Sequence, residues 1–485
     1  MKRLITILSA LSIALISCQQ NLVPDQQEIT ASADEVMPRT YSTGKVTPDD
    51  PVIFLPATNM KAWTDIESLE DRFEACKVSE TRLSNMTTEA LVKSMMNYPL
   101  NYLVFVYNDP KMAIDIIVNH STLHKEYISR PDAAEVMVDM YSEVVVDMRP
   151  EKSDFDGDCR NLSYTNTMFI EHFLGSHVFT VLGKASVKQK LTEIVENNLN
   201  ERLQNTEKFS MYSIEPLLEI DKTQALGVID SGRYVYSPFV LLGYDKVYTV
   251  FGKEVETSIF AQMNTTDMEN IINDVVTNHP NAIIRGAATR DYNCHSYAWY
   301  SQDLNNTHWI NNQTHDGVYQ LSKYWTSDLY ESCLESEAEN IHYSDGDHSA
   351  IKLSNGNYLS KWGQGPLVEH APMDCPYLKT NINYYRIRTT PLPGSITITG
   401  TTPVVTNQSY NYSINERYSS LTYSWEVRFM DAPTPTPFIL NVNSTGRGCS
   451  LICQDYGLFK MIVNGYYQGR KVASGQLNVI SMPNL

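Results

Sequence analysis

The spacing of apolar and polar positions divides the chain into a helix-patterned stretch, a mixed stretch and a strand-patterned stretch. From about residue 51 to 215, apolar residues return every three or four positions. Met137, Tyr141, Val144 and Met148 fall at i, i+4, i+7 and i+11, and Pro150 is placed to stop that helix. Val187, Leu191, Ile194, Val195, Leu199 and Leu203 make a second stripe. Asp109-Pro110 reads as an N-cap followed by Pro at the first helical position, opening a helix through Met112, Ile116 and Ile117. The Met and Tyr side chains on these faces read as core.

From 216 to 390 the pattern is α+β. Tyr248-Thr249-Val250-Phe251 and Glu254-Val255 suggest strands around Gly252. Thr266-Asp267-Met268-Glu269 reads as a capping box opening a helix through Ile271, Ile272 and Val275. Pro391 to Gly394 reads as a linker, and 391–485 is all-β. Its runs are Ile396–Thr399, Leu421–Val427, Phe438–Leu440 and Phe459–Val463, separated by turn residues at intervals that suit a sandwich.

Length agrees with this division, since 485 residues at roughly 150 per domain give about three domains. With 42% hydrophobic residues the chain can bury cores, which excludes a disordered or low-complexity protein. The net charge of −18 argues against nucleic acid as a partner, because phosphate backbones need a basic face.

The N-terminus changes the picture. Met1-Lys2-Arg3 precedes a mainly apolar run from Leu4 to Ile16, shorter than the ~20 residues of a membrane-spanning helix. It ends in Leu15-Ile16-Ser17-Cys18, which resembles the lipobox of bacterial lipoproteins. The resemblance implies that residues 1–17 are a signal peptide and that Cys18 carries lipid. It places the protein in the bacterial cell envelope, held to the membrane. Residues 18–50 are polar and turn-rich and read as a flexible tether.

Seven cysteines follow Cys18, an odd number, so at least one thiol has no partner within the chain. Cys449 and Cys453 would lie ~13 Å apart on a strand, too far to bridge. Asp154-Phe155-Asp156-Gly157-Asp158 has the look of a calcium loop. However, its Gly is fourth and the twelfth position is Thr165, so it reads as a solvated acidic turn.

Chemistry concentrates in Arg290-Asp291-Tyr292-Asn293-Cys294-His295-Ser296. Asn293 is a favoured N-cap and would set Cys294 at the first helical position. A thiol there faces the positive end of the helix dipole, which favours the nucleophilic thiolate. Its base has to be close in space; His295 is adjacent and would point elsewhere, which leaves His348 as the candidate. Asn355-Gly356 predicts a two-residue hairpin turn, with His348 at the start of the first strand. Register then sets residue 350 opposite 361, so that Lys361 shares a face with His348. His295, His308 and His315 have no metal-ligand spacing, and no metal or cofactor is expected.

A helix-start Cys followed by a strand-start His resembles the papain-like cell-wall hydrolases, namely the NlpC-like endopeptidases and the cysteine, histidine-dependent amidohydrolases. The resemblance implies Cys294 as nucleophile and His348 as base, with helix-start N–H groups holding the oxyanion. It puts the orienting residue at Ser360, where these families carry His, Asn, Asp or Gln; Asn357 and His370 are other candidates for that role. Peptide or glycopeptide is the implied substrate. Trp425 and the later Asp455-Tyr456-Gly457-Leu458-Phe459 resemble an immunoglobulin-like domain, here without an evident inter-sheet Cys pair. Two functions are open. One is a lipid-anchored cysteine hydrolase; the other is a surface-binding or adhesion lipoprotein on an inactive hydrolase scaffold.

Overall fold

The computed structural model describes residues 46–146, 161–205, 208–226, 241–416, 418–430 and 438–484. The Cys18 segment, most of the tether, Cys159 and the Asp154–Asp158 turn lie outside them. An N-terminal helical region is followed by a β-rich region of several sheets. Among the described residues no helix is long and apolar enough to cross a membrane.

The helix Pro110–His120 begins as expected, with the Asp109 side chain accepting from Lys111 N. The stripe at 187–203 lies on the helix Ala185–Gln204, which buries Val187, Leu191 and Val195. The stripe at 137–148 ends early. Its helix is Ala133–Tyr141, closed by Ser142, and the chain runs straight into the short strand Val145–Val146. Residue 215, the expected boundary, falls inside the helix Met211–Leu226, so the helical part continues past it. The capping box also sits earlier. Asn264, not Thr266, caps the helix Thr265–Asn278, with reciprocal bonds between Asn264 and Asp267.

The first sheet is a hairpin of β1 (Leu241–Tyr248) and β2 (Glu254–Phe260). Gly252, at φ +79°, lies between them, so Thr249 to Phe251 form the connection and not a strand. The central sheet contains β3 (Ile283–Gly286), β4 (Tyr330–Ser332), β5 (Asn340–Tyr343), β6 (His348–Lys352), β7 (Tyr358–Lys361), β8 (Leu367–His370) and β9 (Ile382–Ile387). Its order is β3-β8-β7-β6-β5-β9-β4, antiparallel throughout.

The β6–β7 turn differs from expectation by one residue. Leu353 N donates to Asn357 O at 2.8 Å and Gly356 N to Leu353 O at 3.0 Å, with Gly356 at φ +87°. The loop therefore has three residues, with its Gly in the left-handed position. Ile351 pairs with Leu359 and Lys352 with Tyr358. A one-residue slip exchanges faces. Lys361 thus lies on the opposite face from His348.

The two faces of this sheet have different covers. Ala350, Tyr358, Trp362 and Val368 join one core with helical-region residues such as Val106, Ile117 and Phe169. On the other face Ile351 and Leu359 pack with Tyr292, Tyr297 and Leu367. A buried polar clamp fastens the helical region to the sheet. Arg72 Nη1 donates to Tyr102 Oη at 3.1 Å and Nη2 to Asn278 O at 2.7 Å, while His279 Nδ1 meets Asp374 Oδ1 at 2.5 Å.

The C-terminal strands are β10 (Leu392–Pro393), β11 (Ile398–Gly400), β12 (Val404–Val405), β13 (Ser409–Ile414), β14 (Thr422–Phe429), β15 (Phe438–Val442), β16 (Gly448–Cys453), β17 (Gly457–Tyr467) and β18 (Arg470–Met482). They form two sheets, β11-β13-β16-β15 and β10-β18-β17-β14, with β12 pairing parallel to β18. Both sheets contribute to one core, through Tyr412 and Leu451 on one side and Phe459, Met461 and Val479 on the other. The expected linker is itself structured, since Leu392 and Pro393 pair with Ala473 and Ser474. Cys449 and Cys453 share β16 and are both free.

Candidate functional site

Asn293 caps the turn that carries Cys294, its Oδ1 accepting from Ser296 N at 3.1 Å. The turn continues as a π-helix over Ser296–Tyr300, a local form enriched at functional sites. It packs on the sheet face that carries Ser349, whose Oγ accepts from Trp299 Nε1 at 2.8 Å. Cys294 is fully buried.

His348 is not the partner of this thiol. It pairs across β6–β5 with Tyr343 and points to the helical-region face, where its ring stacks on Tyr377 at 3.5 Å between centroids. Neither ring nitrogen has a hydrogen-bond partner. Burial, with the neighbouring imidazoles of His295, His370 and His342, holds it well below the ordinary histidine range. Ser360 does not orient it either. The Ser360 hydroxyl accepts from Trp362 Nε1 at 3.0 Å and donates to His370 Nε2 at 3.1 Å, while His370 Nδ1 donates to Ala371 O at 2.9 Å. Asn357 bonds Glu369 Oε1.

The residue that meets the thiol's surroundings is His295. Its Nε2 lies 2.9 Å from Asp347 Oδ1 and its Nδ1 2.9 Å from Ser349 Oγ. Burial alone would lower this imidazole. The charges of Cys294 and Asp347, together with the Asp347 hydrogen bond, outweigh it and raise the value to about 10. The Asp347 carboxylate beside Nε2 thus favours the charged form of His295. Burial would raise the Asp347 carboxyl, but His295 and the Asn108 hydrogen bond hold it below the ordinary range. Asp347 is at φ +46°, a left-handed backbone, and its carbonyl oxygen lies 3.9 Å from Cys294 Sγ. Asn312 Nδ2 also donates to its Oδ1.

Two further groups belong to this side of the sheet, and one of them touches the sulfur. Asn108 reaches it from the helical region, with Nδ2 at 3.5 Å and Oδ1 at 3.6 Å from Sγ. Lys361 lies on the Cys294 face, fully buried. Its ammonium donates to the Thr289, Gly363 and Gly365 carbonyls and sits 5.5 Å from the Tyr292 ring centroid. Burial lowers it to about 7, against the charges of Cys294 and Asp291. Among the described residues no cluster of three or more His, Cys, Asp or Glu could hold a metal ion.

Sequence spacing found Cys294 and Asn293 and missed His295, Asp347, Ser349 and Asn108. Asp347 and Ser349 flank His348 in the chain, so a one-residue change of face separates the expected partner from those formed. For Asn108 there was no signal, because 186 residues separate it from Cys294.

Residues 283–384 match the model of a domain of unknown function (DUF7689). No curated protein matches the chain. The matched segment holds Cys294, His295 and Asp347; Asn108 lies outside it.

Proposed function

We propose that the protein is an envelope-anchored cysteine hydrolase of peptide or amide bonds, with Cys294 as nucleophile and the His295–Asp347 pair as its acid–base partner. The observation that carries this reading is a buried thiol beside a fixed His295–Asp347 pair, with the Asn108 amide against its sulfur. Perturbed titratable groups of this kind cluster at functional sites. A thiolate would attack the carbonyl carbon to give a thioester, which water then releases. The Cys-bearing turn on an antiparallel sheet supports a papain-like fold. In the C-terminal part, the order β11-β13-β16-β15 facing a β18-β17-β14 sheet supports an immunoglobulin-like sandwich. The lipobox-like Leu15–Cys18 supports anchoring through Cys18 and a location in the envelope.

Cys294→Ala is expected to abolish labelling by a thiol probe at this position and release of amine from cell-wall peptides. Retained hydrolysis removes the reading. The second reading, a surface-binding lipoprotein on an inactive scaffold, is favoured by the complete burial of Cys294. It predicts saturable binding of cell-surface peptides or glycopeptides that Cys294→Ala leaves intact, with no turnover.

A further inference from the structure

Resting on the reading of Cys294 as nucleophile, we propose that the Asn108 side-chain amide occupies the place of the substrate's amide and that Asn293 Nδ2–H is the oxyanion donor. The thiol is nearly equidistant from the two ends of this amide, 3.5 Å from Nδ2 and 3.6 Å from Oδ1. It therefore faces the carboxamide group itself, close to the separation of reacting atoms in a near-attack geometry. Asn108 Oδ1 accepts from Asn293 Nδ2 at 3.2 Å. Its Nδ2 donates to Asp347 O at 2.8 Å and lies 3.3 Å from Asp347 Oδ2. Each end of the amide thus has the partner that a scissile amide needs: a donor on oxygen and an acceptor on nitrogen.

Asn293 is immobilised for this task. Its Oδ1 accepts from Ser296 N at 3.1 Å and Ile310 N at 3.2 Å, and its Nδ2 donates to Ile310 O at 2.7 Å. The remaining Nδ2–H is the one directed at Asn108. A donor fixed before reaction stabilises developing charge without reorganising.

The chain two and three residues before Asn108 is held to the loop after the sheet strand that carries Lys361 and to Tyr377. Gln364 N and Gly365 N both donate to Phe105 O, and Tyr377 Oη donates to Val106 O. In this proposal the site opens by rotation of the Asn108 side chain. Asn108 is 5% exposed where Cys294 is wholly enclosed, and its amide lies against the sulfur.

With Asn108 turned out, an unhindered carboxamide, either a peptide bond or a Gln or Asn side chain, takes its place. The Cys294 sulfur, as thiolate with its proton on His295, bonds to the carbonyl carbon, and the carbonyl π pair moves to oxygen against Asn293. Collapse then expels the amine, which takes a proton from Asp347 Oδ2 as His295 Nε2 gives its own to Asp347 Oδ1, and leaves the thioester. Water addition then gives the carboxylic acid, the Cys294 thiolate and the re-protonated His295.

The test uses the full chain and two probes. Iodoacetamide reads access to sulfur, and p-nitrophenyl acetate reads acyl transfer through nitrophenolate release and acetylation of Cys294 by mass. Asn108→Ser should be alkylated and acylated at least about tenfold faster than wild type. Adding Asn293→Asp should lower the ratio of acylation to alkylation about 10²-fold. Equal alkylation of wild type and Asn108→Ser overturns the cover, and an unchanged ratio overturns the donor. Fast alkylation with no acylation overturns the hydrolase reading and the donor role together. Should Asn108→Ser fail to fold, Asn108→Asp sets a carboxylate against Asp347 and drives the side chain out, with the same outcomes expected.

Discussion

His295 and Asp347 pair at 2.9 Å across 52 residues of chain, and Asp347 reaches the thiol's side because it stands next to His348 and takes the other face. The imidazolium depends on that carboxylate and on Cys294. In Asp347→Asn the His295 titration should move down from about 10 by at least one pH unit or so, followed by NMR of the imidazole. Hydrolysis should fall about 10²-fold with it. An unmoved titration would mean that Asp347 does not hold the proton on His295.

His348 supplies the contrasting case. It makes no hydrogen bond, stacks on Tyr377 and belongs to the helical-region face. His348→Phe is expected to keep the stack, relieve two unpaired buried nitrogens and leave Cys294 labelling within about twofold of wild type. Stability should stay level or rise by about 1 kcal/mol, read from urea midpoints. Loss of labelling would return His348 to the site.

Lys361 and His295 act on stability with opposite signs. The folded Lys361 sits near 7, below its unfolded value, so its contribution rises as pH climbs from 7 towards 10. The folded His295 sits near 10, above its unfolded value, so its contribution falls over the same range. The two offset each other in the wild type. In Lys361→Met only the His295 slope remains, and the urea midpoint should drop more steeply between pH 7 and 9 than in wild type. A parallel pair of curves would rule out a depressed Lys361.

Arg202 and Glu171 form a buried ion pair at 2.5 Å, with Arg202 Nη1 also donating to Ser213 O at 2.6 Å. Arg202→Ala leaves Glu171 enclosed without its counter-ion and should cost about 3–5 kcal/mol in denaturant unfolding. A cost under about 1 kcal/mol would show that the carboxyl is satisfied in another way.

Gly363, at φ +50°, packs so closely that a Cβ would fall inside contact with the Tyr107 and Val106 carbonyl oxygens. Gly363→Ala must push the 105–108 segment off the sheet. It should destabilise the chain by about 2 kcal/mol or more and expose Cys294 to iodoacetamide. Unchanged alkylation would mean that the segment does not govern access.

Local signals were read well where one element decides them. Asp109-Pro110 opened its helix, the stripe at 187–203 lay on one helix, and Asn293 capped the Cys294 turn. The hairpin was also legible, but Asn355-Gly356 fits both a two-residue and a three-residue loop, and that one residue decides which face His348 takes. Asp347 was hidden for a related reason, since a non-glycine left-handed residue has no mark in the sequence. Asn108 depends on tertiary contact alone.

The shared core carries a consequence for excision and for inheritance. Trp362, Tyr358 and Ala350 look outward from residues 283–384 and share their core with the helices that precede them. Cut to its matched borders, the segment would present a bare apolar sheet and should be insoluble. Any other chain built on a counterpart of it has to bring its own roof for that side, and with the roof, its own residue at the position Asn108 fills.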